Sequence, residues 1–195
     1  ILNVPVTDSN FTYQIPAIDP NGDGLTYSLT PNDSFGTGCV QPAGLSITPA
    51  GLLSWSGAGK TVGDLYNGSV RVTDSRGVHI SLDVLFRIVG HSTPCDFDYT
   101  VSPPNGTIFN IQPGDSLTFQ TKVGDSDTGD TVKLTAYGVP PGGTFTTSGT
   151  NPVTGDFGWK PTPSQQGDFV INITSEDKAG VQNNTVINLN VSYKP

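Results

Sequence analysis

The side chains best equipped for chemistry gather in two short acidic stretches, Asp19-Pro20-Asn21-Gly22-Asp23 and Asp125-Ser126-Asp127-Thr128-Gly129-Asp130. Oxygen donors at alternate positions, followed by glycine, suit a hard divalent cation. Asp19, Asn21, Asp23 and Gly24 take the first, third, fifth and sixth places of a calcium-binding loop. The twelfth place, where a bidentate glutamate would close the shell, falls on Thr30. The residues after Gly24 read as strand, which excludes a helix–loop–helix calcium site. Two readings stay open. Either the carboxylates hold calcium, or they form a solvated turn that accepts hydrogen bonds from its own backbone.

The other reactive residue types are sparse. His79 falls on the outward face of a strand and His91 in a polar linker, with no serine or carboxylate arranged around either as a triad requires. Glutamate occurs once, at Glu176, and the aspartates sit on Gly- and Pro-rich turns, so a pair of carboxylates in a cleft for glycoside hydrolysis is not expected. The reading is therefore that the chain is not an enzyme. Trp55 and Trp159 are the candidates for stacking on sugars, but each shares a strand face with an apolar residue, Leu53 and Phe157, which favours a core position. Cys39 and Cys95 form no Cys-x-x-Cys pair and lie far from either histidine. In a protein of extracellular character a disulfide between them is expected, the alternative being two inert thiols.

Strands must position these residues. Gly 24 and Pro 16 are high, Met is absent, and Thr, Ser, Val and Asn dominate the remainder, the composition of many short strands joined by tight turns. No stretch carries apolar residues at helical spacing, so helix content is expected near zero. The formal charge is −8 with nine Lys and Arg. That excludes nucleic acid, which needs a basic stripe to displace counterions, and argues against an anionic membrane surface. No apolar run reaches the ~18 residues that span a bilayer. Seven Asn-x-Ser/Thr sequons, at Asn10, Asn32, Asn67, Asn105, Asn172, Asn183 and Asn190, are common enough by chance in such a composition to decide nothing.

The chain also repeats itself. Asp19 to Asp23 followed by the strand Leu25–Leu29 answers Asp125 to Asp130 followed by Val132–Ala136. Gly51-Leu52-Leu53-Ser54-Trp55 answers Gly155-Asp156-Phe157-Gly158-Trp159. Tyr66 and Phe169 then open strands that end in acidic turns, Asp74-Ser75-Arg76-Gly77 and Glu176-Asp177-Lys178-Ala179-Gly180. Each half closes on an alternating strand. In the first, Val78, Ile80, Leu82, Val84 and Phe86 are assigned to one buried face. The expectation is two domains, residues 1–91 and 95–195, about seven strands each, the count of a β-sandwich.

These landmarks resemble cadherin-like and dystroglycan-type immunoglobulin-like repeats of bacterial surface adhesins. The residues that carry the likeness are Asp19 to Leu29, Gly44 to Ile47, Gly51 to Trp55 and Val70 to Gly77. The second half, through Phe157 to Pro163, Gly167 to Val170 and Glu176 to Gly180, is similar to divergent modules of Bacteroidetes adhesins, including those of gliding motility. The resemblance implies an all-β fold of two tandem immunoglobulin/cadherin-like sandwiches. It also implies that Asp74 joins Asp19, Asn21 and Asp23 in a calcium cage, with Asp125, Asp127, Asp130, Glu176 and Asp177 as the second. The role implied is a structural or adhesive module of a larger secreted or surface protein, monomeric in itself, with neighbouring domains and an extracellular glycan or protein as partners. The alternative is an accessory or carbohydrate-binding module of a secreted polysaccharide-degrading enzyme.

Overall fold

The computed structural model describes residues 1–35 and 38–193; the last two residues of the expected second domain lie outside that range. The chain divides into two compact units, Ile1–Thr93 with Ala179–Val181, and Pro94–Lys178 with Gln182–Pro195. In the first unit, β1 (Leu2–Pro5), β7 (His79–Val89), β6 (Leu65–Thr73) and β3 (Thr26–Leu29) form one sheet in that order. The other sheet is β2 (Phe11–Gln14), β5 (Leu52–Trp55) and β4 (Ser46–Ile47). A four-residue helix, α1 (Asn32–Phe35), interrupts the strands. In the second unit, β11 (Lys133–Tyr137), β14 (Gly167–Glu176), β15 (Gln182–Val191) and β9 (Ile108–Ile111) make one sheet. β12 (Thr144–Gly149), β13 (Val153–Trp159), β10 (Leu117–Gly124) and β8 (Asp96–Phe97) make the other. The fold is all-β, and each unit is a sandwich.

Period-two alternation builds both cores. Leu53 and Trp55 of β5 turn inward against Phe11, Val70, Phe86 and Ile88. Val153, Phe157 and Trp159 of β13 do the same against Leu117, Val123, Ile171, Ile187 and Leu189. Each indole keeps one polar tie: Trp55 Nε1 donates to the Ala43 carbonyl at 3.1 Å and Trp159 Nε1 to the Pro141 carbonyl at 3.2 Å. The rings that follow them in sequence pack edge-on, Tyr66 on Trp55 at 5.0 Å and Phe169 on Trp159 at 5.1 Å.

β7 departs from the sequence reading. Val84, Phe86 and Ile88 are buried, yet Val78, Ile80 and Leu82, assigned by alternation to that same face, are 67%, 66% and 42% exposed. The period holds, but the core is shorter than the strand. The facing sheet is built from strands of four residues or fewer, and eleven-residue β7 outruns it.

The matched glycines Gly51 and Gly155 serve different ends. Gly51 has φ +87° and closes the tight turn from β4 to β5, its N–H bonded to the Thr48 carbonyl. Gly155 lies inside β13, where a Cβ would stand 2.3 Å from Phe145 Cζ and 2.9 Å from Leu134 Cδ2. Gly155→Ala is expected to cost about 1–3 kcal/mol by overpacking. Denaturant titration checks this: a midpoint unchanged from wild type would mean that Phe145 swings away freely.

Candidate metal centres

The first acidic turn is shaped by its own backbone. Asp19 Oδ1 accepts the N–H groups of Asn21 at 2.8 Å and Asp23 at 3.2 Å, and Gly22, at φ +76°, returns its N–H to the Asp19 carbonyl. Asp74 organises the turn after β6 in the same way. Its Oδ1 accepts the N–H groups of Arg76 and Val78 at 2.9 and 2.8 Å. Antiparallel pairing of β3 with β6, Thr26 opposite Thr73, brings the two turns to one end of the sheet. There Asp19, Asp23 and Asp74 each offer a carboxylate oxygen, all within 4.8 Å of one another. Asn21 is exposed and contributes its backbone N–H to the turn.

This donor set fits calcium. Ca–O distances of about 2.3–2.6 Å allow oxygens on one ion to lie up to roughly 5 Å apart. Hydrogen bonds from the chain orient each of the three carboxylates: Asp19 Oδ1 and Asp74 Oδ1 hold their own turns, and Asp23 Oδ1 accepts from Ser75 Oγ at 3.2 Å. Asp23 Oδ2 is shielded from solvent and accepts no hydrogen bond, with Arg76 Nη2 at 3.1 Å as its counter-charge. Arg76 and Ser75 were not singled out from sequence, although both sit in the Asp74 turn that the resemblance named.

The second cluster uses the equivalent loop. Asp125 Oδ1 accepts the Asp127 N–H at 2.7 Å, and Asp125, Asp127 and Asp130 bring carboxylate oxygens within 4.8 Å. Asn151 clamps the loop from the β12–β13 turn. Its Oδ1 takes the Asp125 N–H, and its Nδ2 gives to the Asp125 and Asp130 carbonyls at 2.9 and 3.3 Å. Sequence offered one hint of that role, an Asn before Pro in a turn. Asp177 holds the place of Asp74, one residue past the pairs Glu176–Gln182 and Thr73–His79. It is buried and stands outside the three-carboxylate group. Glu176 accepts Gln182 Nε2 at 2.7 Å. His79 and His91 are both exposed.

Cys39 and Cys95, the pair expected to form a disulfide, are each a free thiol in its own unit. Cys39 is an exposed thiol, whereas Cys95 is fully enclosed in the core of the second unit, its Sγ donating to Asp125 Oδ2 at 3.4 Å. Burial, with the Asp125 and Asp177 charges adding to it, pushes the Cys95 thiol up to about 12. A thiol reagent is therefore expected to modify Cys39 at once and Cys95 only on unfolding; protection of both until reduction would restore the disulfide. The same shift sets a pH dependence. The stability tied to the neutral thiol is complete below the unfolded value near 8.5 and is lost as pH rises from there towards 12, since only the unfolded thiol ionises in that window.

Residues 3–89 match the family described as a putative Ig domain. The matched residues lie in the first unit, and the second is a β-sandwich of its own. The chain is 36% identical over 83 residues to integrin beta-like protein A of Dictyostelium discoideum, a stretch that is 42% of this chain and 4% of that protein. Among solved structures it is similar to the endo-fucoidan hydrolase MfFcnA4 of glycoside hydrolase family 107, at 14% identity and TM-score 0.37, over 100% of this chain and 28% of that one. It is also similar to the GspB Siglec domain, at 15% identity and TM-score 0.41, over 54% and 60%. Drosophila N-cadherin EC1-3 gives 12% identity and TM-score 0.36, over 99% and 63%. Likeness at this level leaves function open.

Proposed function

We propose that this chain is a pair of adhesive spacer modules of a larger extracellular or cell-surface protein, each steadied by calcium at its acidic turn. The observation that carries the proposal is the repetition of one sandwich with a carboxylate cluster on the equivalent loop of each copy. Cross-strand geometry fixes both clusters at a loop end of their sheets, where bound cations stiffen a module without entering its core. The likeness of 83 residues of the chain to an integrin beta-like protein supports an adhesive setting. A gliding-motility adhesin is one form of this role, supported by the residue likeness of the second half. No helix among the described residues is long and apolar enough to cross a membrane.

The rival role, a glycan-binding accessory module, loses its first candidates because Trp55 and Trp159 are 2% and 4% exposed. A glycan array probed with the 195-residue chain separates the two. The spacer reading expects no saturable binding, and in the parent protein a deletion of residues 1–195 should shorten adhesive reach while leaving ligand choice intact. Saturable binding of one glycan class by this chain would overturn the spacer reading in favour of the accessory module.

A further inference from the structure

The fold separates the seven Asn-x-Ser/Thr sequons that composition alone leaves undecided. A sugar linked to asparagine keeps the side chain in water and leaves one hydrogen on Nδ2, so it suits an amide that the fold does not use. Asn172 is buried and gives Nδ2 to Thr174 Oγ1 at 3.4 Å. Asn183 Nδ2 donates to the Cys95 carbonyl at 2.8 Å, and Asn190 Nδ2 to Asp168 Oδ1. Asn105 Oδ1 accepts the Val186 N–H at 2.8 Å, and Asn32 Oδ1 accepts the Gln41 N–H at 3.4 Å. Asn10 and Asn67 are both exposed, and among the described residues neither side-chain amide is engaged in a hydrogen bond.

Asn67 also stands on the rim of a groove. About 500 Å³ in volume, it runs between Cys39–Ala43 on one side and Leu65–Asn67 on the other. β3 pairs with β6 only along Val70–Thr73, so among the described residues no strand covers the Leu65–Asn67 end of that edge. The opposite wall is pinned at two points. Gln41 Nε2 donates to the Thr30 and Ser69 carbonyls at 2.8 Å each, and Gln41 Oε1 accepts the Ser69 N–H at 3.0 Å. The Ala43 carbonyl accepts the Trp55 indole. Tyr66 lines the groove with its ring held edge-on by Trp55, while Val40 and Leu65 are 67% and 60% exposed. A fixed groove of this size with an aromatic ring and aliphatic walls suits the apolar face of a pyranose ring.

We propose that Asn67 carries an N-linked glycan and that the sugars nearest the asparagine lie in this groove, over Tyr66, Val40 and Leu65. The proposal rests on the extracellular reading above, since the donor, an oligosaccharide on a polyprenyl diphosphate, is met on the secretory side of a membrane. In the transfer, Asn67 Nδ2 bonds to the anomeric carbon of the first sugar. The bond from that carbon to the diphosphate breaks, polyprenyl diphosphate leaves with its electron pair, and the amide gives up one proton. Nothing is oxidised or reduced. Transfer takes place on the unfolded chain, where the Ser69 hydroxyl of the sequon is free. On folding that hydroxyl is buried and donates to Thr30 Oγ1 at 3.0 Å, while Asn67 stays outside. The glycan then covers apolar surface that the sandwich leaves open to water.

The test takes the protein from the cells that make it and treats its peptides with peptide N-glycosidase in heavy-oxygen water, which marks each occupied asparagine as a labelled aspartate. Asn67 should be marked, and Asn172 and Asn183 should not. Lodging in the groove is read separately, on the chain made through a secretory pathway. A bulky thiol reagent should label Cys39, on the opposite wall, at least about tenfold more slowly in the glycosylated chain than in Asn67→Gln. Asn67 is exposed, so that variant leaves the core untouched. Bare Asn67 in protein that surface biotinylation finds outside the cell would overturn the proposal and leave the extracellular reading standing. Protein found only inside the cell would remove both. A marked Asn67 with equal Cys39 rates would overturn the placement of the glycan in the groove.

Discussion

Trp55→Ala is expected to speed exchange of the core amides of β2 and β6 by at least about a hundredfold, and Trp159→Ala to do the same for β10 and β14. The indole of Trp55 is 2% exposed, touches Tyr66 and Phe86 at centroid distances of 5.0 and 4.8 Å, and gives its N–H to the Ala43 carbonyl. Truncating a buried tryptophan costs about 3–5 kcal/mol through lost transfer energy and the cavity left behind. A domain of this size has about 5–15 kcal/mol in total, so the mutant retains a fold but opens far more often. Trp55→Phe separates the two contributions. It keeps most of the apolar surface and leaves the Ala43 carbonyl, on an exposed residue, to water in place of the indole, an effect of about 0.5–1.5 kcal/mol. Exchange in Trp55→Ala that matches wild type would show that the indole lies over the core rather than in it, and would return Trp55 to the list of possible sugar platforms.

The tryptophan slots were legible in the sequence because inward positions recur at a period of two and the whole arrangement occurs twice. The repeat likewise matched Asp19 to Asp125 and Asp74 to Asp177, and the register of β6 with β7 and of β14 with β15 sets them in equivalent places. Burial is another matter. Val78, Ile80 and Leu82 alternate as faithfully as Val84 and Phe86, but alternation reports which face a residue takes and not whether anything lies over that face. The cysteines were less legible for a related reason: compartment chemistry speaks for a bond but does not report burial, and Cys95 is packed in the core of its unit while Cys39 is exposed. Asn151 showed in the sequence only as an Asn before Pro, because its work is a set of backbone contacts made across a loop in space.

Calcium should raise the thermal stability of the first unit, and Asp23→Ala should remove that gain without unfolding it. Three carboxylates whose oxygens converge within 4.8 Å repel one another, and Arg76 at 3.1 Å from Asp23 Oδ2 offsets part of that repulsion. A divalent ion offsets far more, and it binds the folded state because only folding brings the Asp19 and Asp74 turns together. The stabilisation follows RT ln(1 + [L]/Kd), about 2.7 kcal/mol at a hundredfold excess over Kd. For a domain of about 100 residues that is a rise in melting temperature of roughly 10 °C or more. Calcium should outperform magnesium, since a site built on two flexible turns accommodates long, irregular Ca–O contacts more readily than a tight octahedron. Arg76→Ala sharpens the test, because the guanidinium and the ion compete for the same negative charge. Without Arg76 the metal-free domain should melt lower and the calcium-induced rise should be larger. Equal melting curves in millimolar calcium and in chelator, for both the wild type and Arg76→Ala, would show that the carboxylates serve their own turns and that Arg76 is the only cation the cluster recruits.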